Sequence, residues 1–93
     1  MIERLILAAL VSLHSATLSW KWTANADKAT AFSIQRAATE VGPFTQLATV
    51  STSTFTYIDK AIRAKNTYCY QIIAVAKHGA SSPPSNIACV VIP

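Results

Sequence analysis

The side chains of this chain that could do chemistry are few: four acids (Glu3, Asp27, Glu40 and Asp59), two histidines (His14 and His78) and two cysteines (Cys69 and Cys89). Hydrolysis needs a nucleophile, a base and a group to orient it, or a pair of carboxylates at a working distance. Asp27 and Glu40 fall in polar, loop-like stretches with no acidic companion nearby in sequence. Asp59 ends an alternating run, where its carboxylate is suited to bonding local backbone amides. His14 and Ser15 are adjacent but stand in no recognisable catalytic setting. A metal site is not expected either, because there is no CxxC or HxxxH spacing and the histidines lie far off in sequence. The expectation is a non-enzyme without cofactor or metal. The cysteines read in two ways, as a disulfide or as two small buried thiols of the kind common in cores.

The elements that would position these groups are strands. Ninety-three residues make one domain, residues 1–93, near the size at which a covalent staple becomes useful. Apolar residues are 52% of the chain and charged residues 13%, so the chain must bury a face or two and is not a disordered tail. The net charge of +4 comes from scattered basic residues, densest at Lys60, Arg63 and Lys65. No basic stripe with interleaved stacking aromatics is visible, which argues against nucleic acid as a partner. The four prolines sit between apolar runs or at the end and punctuate strands.

Residues 1–15 carry two readings. Leu5 to Leu13 resembles the apolar part of a secretory signal, but Glu3 cancels Arg4 and His14 falls where a small residue is favoured before a cut at Ala16. The run is too short to span a bilayer, which takes about 20 apolar residues. The favoured reading is a retained first strand. Ile6, Ala8 and Val11 precede Ala16, Leu18 and Trp20 in a period-two pattern with one irregular step. Beyond it, Ala16 to Trp22 alternates with Leu18, Trp20 and Trp22 on one face, and Ala31 to Arg36 alternates with Phe32 and Ile34 inward. Further strands are expected over Phe44 to Val50, Thr54 to Ile58, Tyr68 to Lys77 and Asn86 to Ile92, with a turn at Glu40 to Pro43. Seven short strands without helical periodicity predict two antiparallel sheets packed face to face, with Trp20 at the centre.

In this order and spacing the residues resemble a fibronectin type III domain, over nearly the whole chain. Thr17-Leu18-Ser19-Trp20 looks like the family's second strand with its core tryptophan, Ala31 to Arg36 like its third, and Gly42-Pro43-Phe44 like the turn into its fourth. Thr56-Tyr57-Ile58-Asp59, with Ile62 six residues before Tyr68, is similar to the family's E strand and tyrosine corner, in which the phenol bonds backbone near the turn. Ser82 to Asn86 looks like the start of the last strand. The resemblance implies an all-β, seven-stranded, immunoglobulin-like antiparallel sandwich. Two departures stand out. Ala64 and Lys65 occupy positions where the family usually has proline and glycine, so a looser turn is expected there. The loop from Ala76 to Pro84 contains no Arg-Gly-Asp, so integrin-type adhesion is not supported.

Parity along the fifth of these interior strands assigns its faces. Tyr68, Tyr70, Ile72 and Ala74 point to the core, and Cys69 points outward with Gln71, Ile73 and Val75. Cys89 lies at a matching distance from the intervening hairpin, which favours a cross-strand disulfide, an arrangement that bacterial members of the family also show. The expected core is Leu18, Trp20, Phe32, Ile34, Tyr68, Tyr70 and Ile72. If the cysteines face out, so do Ile73, Val75, Ile87 and Val91. With Lys77 and His78 in the adjoining loop they form the candidate partner surface, unless strand twist hides them. The function expected is a binding or adhesion module, secreted or displayed on a surface, with another chain or a second copy as partner and a glycan as the lesser choice. The alternative is a structural subunit of an extracellular filament or a phage decoration protein, packed through edge strands.

Overall fold

Alternating runs become strands where one parity carries the apolar side chains that the core takes up. The computed structural model describes residues 4–23, 29–76 and 79–93. Its strands are β1 (Arg4–Ser12), β2 (Ser15–Thr23), β3 (Ala29–Ala37), β4 (Thr45–Ser51), β5 (Thr56–Asp59), β6 (Thr67–Ala76) and β7 (Ala88–Val91). They form a three-stranded sheet in the order β1-β2-β5 and a four-stranded sheet in the order β4-β3-β6-β7, with every pairing antiparallel. The core lies between the sheets. Leu18 and Trp20 from one sheet meet Phe32, Ile34, Tyr70 and Ile72 from the other, all buried. Both tryptophans approach Phe32 edge-on, Trp20 at 5.7 Å and Trp22 at 5.2 Å between ring centroids, a geometry the ring quadrupoles favour.

The first strand exists, but it faces the other way from the alternation proposed for it. Leu5 and Leu7 are buried and Ala9 packs against the core, whereas Ile6 and Ala8 point to solvent. The cause is the two-residue turn Leu13-His14. It pairs Ser12 with Ser15, and this register sets Leu7 opposite Trp20 and Ala9 opposite Leu18. Directly opposed residues of an antiparallel pair share a face, so odd positions of β1 join even positions of β2. A slip of one residue inverts a strand. Only Val11, opposite Ala16, keeps its assigned side, and it lies at the rim.

Tyr68 is half-buried rather than central. It packs against the core, and its hydroxyl accepts a hydrogen bond from the Arg63 N–H at 2.8 Å, the contact expected of a tyrosine corner. The turn before it is tied, not loose. Lys65 N–H donates to the Ile92 carbonyl at 2.8 Å, and Ile92 N–H donates to the Asn66 carbonyl at 3.0 Å. Without the usual glycine, this closure forces Lys65 to a φ of 66°. At the other turn Gly42 has a φ of 83°, and a Cβ there would sit 3.1 Å from the Phe44 nitrogen, so glycine is required.

Candidate functional site

The outer face of the four-stranded sheet holds most of the residues singled out as a partner surface. Parity sets Cys69, Gln71, Ile73 and Val75 on the outer face of β6, because Tyr70, Ile72 and Ala74 are taken by the core, but Cys69 is itself buried at 1% exposure and the other three are only half-buried. Cys69 and Cys89 stand directly opposite one another with Cα atoms 4.0 Å apart, and they are joined by a disulfide. The apolar positions around them do not merge into one stripe. Gln71 lies between the disulfide and Ile73, and its amide donates to Gln35 Oε1 at 2.7 Å. Ser33, opposite Ile73, donates to Gln46 Oε1 at 2.9 Å. Ile73 and Val75 are half-buried, while Ile87 and Val91 are 41% and 62% exposed. Val91 pairs with Thr67, at the opposite end of β6 from Val75. Lys77 and His78 lie outside the described residues.

The larger apolar exposure is on the other sheet. Once the register of β1 turns Ile6, Ala8 and Leu10 out, they flank Lys21, Ser19 and Thr17 of β2, and Ile58 of β5 lies beyond Thr17. Ile6, Leu10, Leu13 and Ile58 are each about half exposed or more. A shallow hollow of about 320 Å³ is lined by Ile6, Ala8, Ser19, Trp20 and Lys21. The signal that would have revealed this face is the two-residue turn, which fixes the parity of β1 through its register.

A second, smaller cavity of about 180 Å³ opens among Trp22, Ala29, Ala74, Ala76, Ala80, Ser81 and Ser82. Among the described residues no charged side chain lines it, and Ser82 Oγ is already engaged with Ala74 N–H and the Pro83 carbonyl. The described lining pairs no nucleophile with a base.

The acid at the end of β5 is committed to structure. Asp59 is 1% exposed, and its Oδ2 accepts from the Tyr70 hydroxyl at 2.7 Å and from Arg36 Nη1 at 2.8 Å. Its Oδ1 accepts from the Ala61 N–H at 3.1 Å, the local backbone bond expected of it. Arg36 also donates to the Ala61 carbonyl at 2.9 Å, and its guanidinium lies 5.2 Å from the centre of the Tyr68 ring. Arg36 and Tyr70 belong to one sheet and Asp59 to the other, so the group ties the sheets together across their polar end. A buried carboxylate whose partners are all in place is a strut, since removing one partner would leave a charge uncompensated. Burial, followed by the hydrogen bond to Asp59 and the charge it carries, pushes the Tyr70 phenol far above its ordinary value, with Arg36 opposing. Among the described residues no group of three or more His, Cys, Asp or Glu side chains is placed to hold a metal ion, and no helix is long and apolar enough to cross a membrane.

No protein-family model matches the chain. Among solved structures it is similar to a fibronectin type III-like protein from Clostridium thermocellum, at 27% identity and a TM-score of 0.77, over 94% of this chain and 88% of that one. The chain is a fibronectin type III-like domain. The same fold recurs within a pectate lyase from Pectobacterium carotovorum, with a TM-score of 0.78 and 20% identity, where the match covers 97% of this domain but 27% of the lyase. In sequence the fibronectin type III-like domain is 34% identical over 65 residues to an amylopullulanase from Thermoanaerobacter thermohydrosulfuricus. That stretch is 68% of the domain and only 4% of the amylopullulanase, so the domain corresponds to a small part of this relative.

Proposed function

We propose that this fibronectin type III-like domain is a non-catalytic accessory module that works outside a reducing cytoplasm and holds another protein chain. The observation that carries this reading is its recurrence as a minor part of larger proteins, its fold over 27% of the pectate lyase and its sequence over 4% of the amylopullulanase. Their activities lie in chains of which this domain resembles only a fraction. The disulfide supports an oxidising compartment, where such bonds persist. Asp59, the buried acid among the described residues, is occupied by Arg36, Tyr70 and Ala61 and is committed to structure.

A glycan is the lesser choice of partner even though two of these relatives are named for acting on glycans. Trp20 and Tyr70 are buried, Trp22 is turned edge-on to Phe32, and Phe55, the one exposed ring at 41%, is tilted against Phe32, so no platform of several exposed rings is displayed among the described residues. Most of the exposed apolar surface is aliphatic, much of it on the outer face of β1-β2-β5, and such surface suits a protein contact. Affinity electrophoresis through gels containing pectate or pullulan tests the choice. Unchanged mobility is expected, and retardation by either polysaccharide would overturn the preference for protein.

The alternative, a structural subunit of a filament or a virion decoration, is favoured by the same exposed aliphatic face. Light scattering coupled to size exclusion at micromolar concentration separates the two readings. A large ordered assembly supports the subunit, and discrete monomers or dimers support the module.

A further inference from the structure

The geometry points to β1 as an exchangeable strand, passed between two copies of this chain through a hinge at Leu13-His14. Four observations converge on it. First, β1 is an edge strand, joined to β2 by a turn of only two residues, Leu13 and His14. His14 adopts a φ of 69°, a left-handed backbone that is costly for a residue with a side chain, and opening the turn relieves it. Short hinges under strain favour exchange over folding back.

Second, β1 cannot leave the sandwich and stay in water. Leu5, Leu7 and Ala9 belong to the core and Ile6, Ala8 and Leu10 to the outer face, so both faces are apolar. A released β1 is satisfied only by an identical vacancy in a second copy. Third, the contacts that hold β1 can be remade without loss. Asn86 accepts from Leu7 N–H at 2.8 Å and donates to the Leu7 carbonyl at 3.0 Å, and these bonds re-form with the Asn86 of a partner copy. The hydroxyl bond from Ser12 to Ser15, which spans the hinge, is exposed and exchanges with water.

Fourth, the apolar exposure of the β1-β2 hairpin is greatest at the hinge: Leu10 is 74% exposed, Leu13 71% and Val11 40%. A strand-exchanged dimer makes its one new interface where the two opened hinges run past each other. These three side chains are the ones that such an interface would cover. The occupant is a second copy of this chain, whatever the module holds elsewhere.

Ala8 and Ser19 are exposed partners across β1 and β2, and they provide the test. Leu7 turns its backbone groups toward Asn86, so Ala8 bonds toward β2. Such a hydrogen-bonded pair has Cα atoms about 5.5 Å apart, within reach of a disulfide. Full-length chains carrying Ala8→Cys alone are mixed with chains carrying Ser19→Cys alone, concentrated to about 1 mM, the range of intramolecular effective concentrations, and oxidised. Peptide mapping then looks for an inter-chain bond between positions 8 and 19. Its presence in the dimer fraction is expected. Dimers lacking it, or chains that stay monomeric throughout, would overturn the exchange. Hinge length sets the direction: deleting His14 should raise the dimer share at least tenfold, and inserting Gly-Gly-Ser after His14 should lower it by a similar factor. If the deletion fails to fold, the insertion still decides, and a dimer share that does not fall with the longer hinge counts against the inference.

Discussion

At the scale of single residues, Tyr70 and Lys65 show how local chemistry is set by distant geometry. Tyr70 is fully buried and donates to Asp59, so its phenol is held neutral and its pKa stands above the unfolded value of 10.0. The folded state therefore binds the proton more tightly. This contribution is fully present below pH 10 and is lost as pH rises beyond it, at about 1.4 kcal/mol per pH unit for one proton. Urea melts of Tyr70→Phe should show a loss of about 1.5–3 kcal/mol at pH 7, from a hydrogen bond to a charged acceptor. Above pH 10 the variant's stability should fall less steeply than the parent's, and parallel slopes would contradict the assignment. Lys65 makes the opposite case. Its φ of 66° is the price of closing the tyrosine-corner turn without glycine. Lys65→Gly should stabilise by about 0.5–1 kcal/mol, the relief of the left-handed backbone less the added entropy of the unfolded chain, read as a rise in melting temperature.

At the scale of strands, the disulfide joins neighbours already paired through Tyr68-Val90 and Tyr70-Ala88. It acts chiefly on the unfolded chain, closing a loop with a sequence separation of 20, so reduction should cost about 3 kcal/mol without changing the register. Urea melts with and without reductant measure this, and a difference under about 1 kcal/mol would mean the reduced unfolded chain is already compact. β2 was legible in the sequence because one parity is apolar and the other polar, Leu18, Trp20 and Trp22 against Thr17, Ser19 and Lys21, and β3 and β6 because Phe32 and Ile34 flank Ser33 and Tyr70 and Ile72 flank Gln71. β1 was legible as a strand but not as a face. Leu5 to Leu10 is apolar at every position, so alternation carries no information there, and only the turn that pairs Ser12 with Ser15 decides which residues go in. The link from Arg36 to Asp59 and Tyr70 was not legible either. It joins residues 23 and 11 positions apart on opposite sheets, and no local pattern encodes such a contact.

At the scale of the whole molecule, a fibronectin type III-like sandwich offers its surroundings two sheet faces, its loops and its edges. One outer face is crossed by the glutamine and serine bonds among Gln35, Gln71, Ser33 and Gln46. The other displays Ile6, Leu10 and Ile58. The proposed contact with another chain is therefore placed on the face that β1 builds, and the proposed exchange between copies at its hinge. Both depend on β1 being an integral strand and not a leader that lies apart from the sandwich. Amide hydrogen exchange of the full chain, resolved by residue, tests this most directly. The Leu7 amide, bonded to Asn86, and the Ile6 and Ala8 amides, paired with β2, should be protected to an extent comparable with β2 itself. Exchange of residues 4–12 at the rate of an unstructured peptide, with β2 still protected, would contradict the assignment of β1 and with it the contact face.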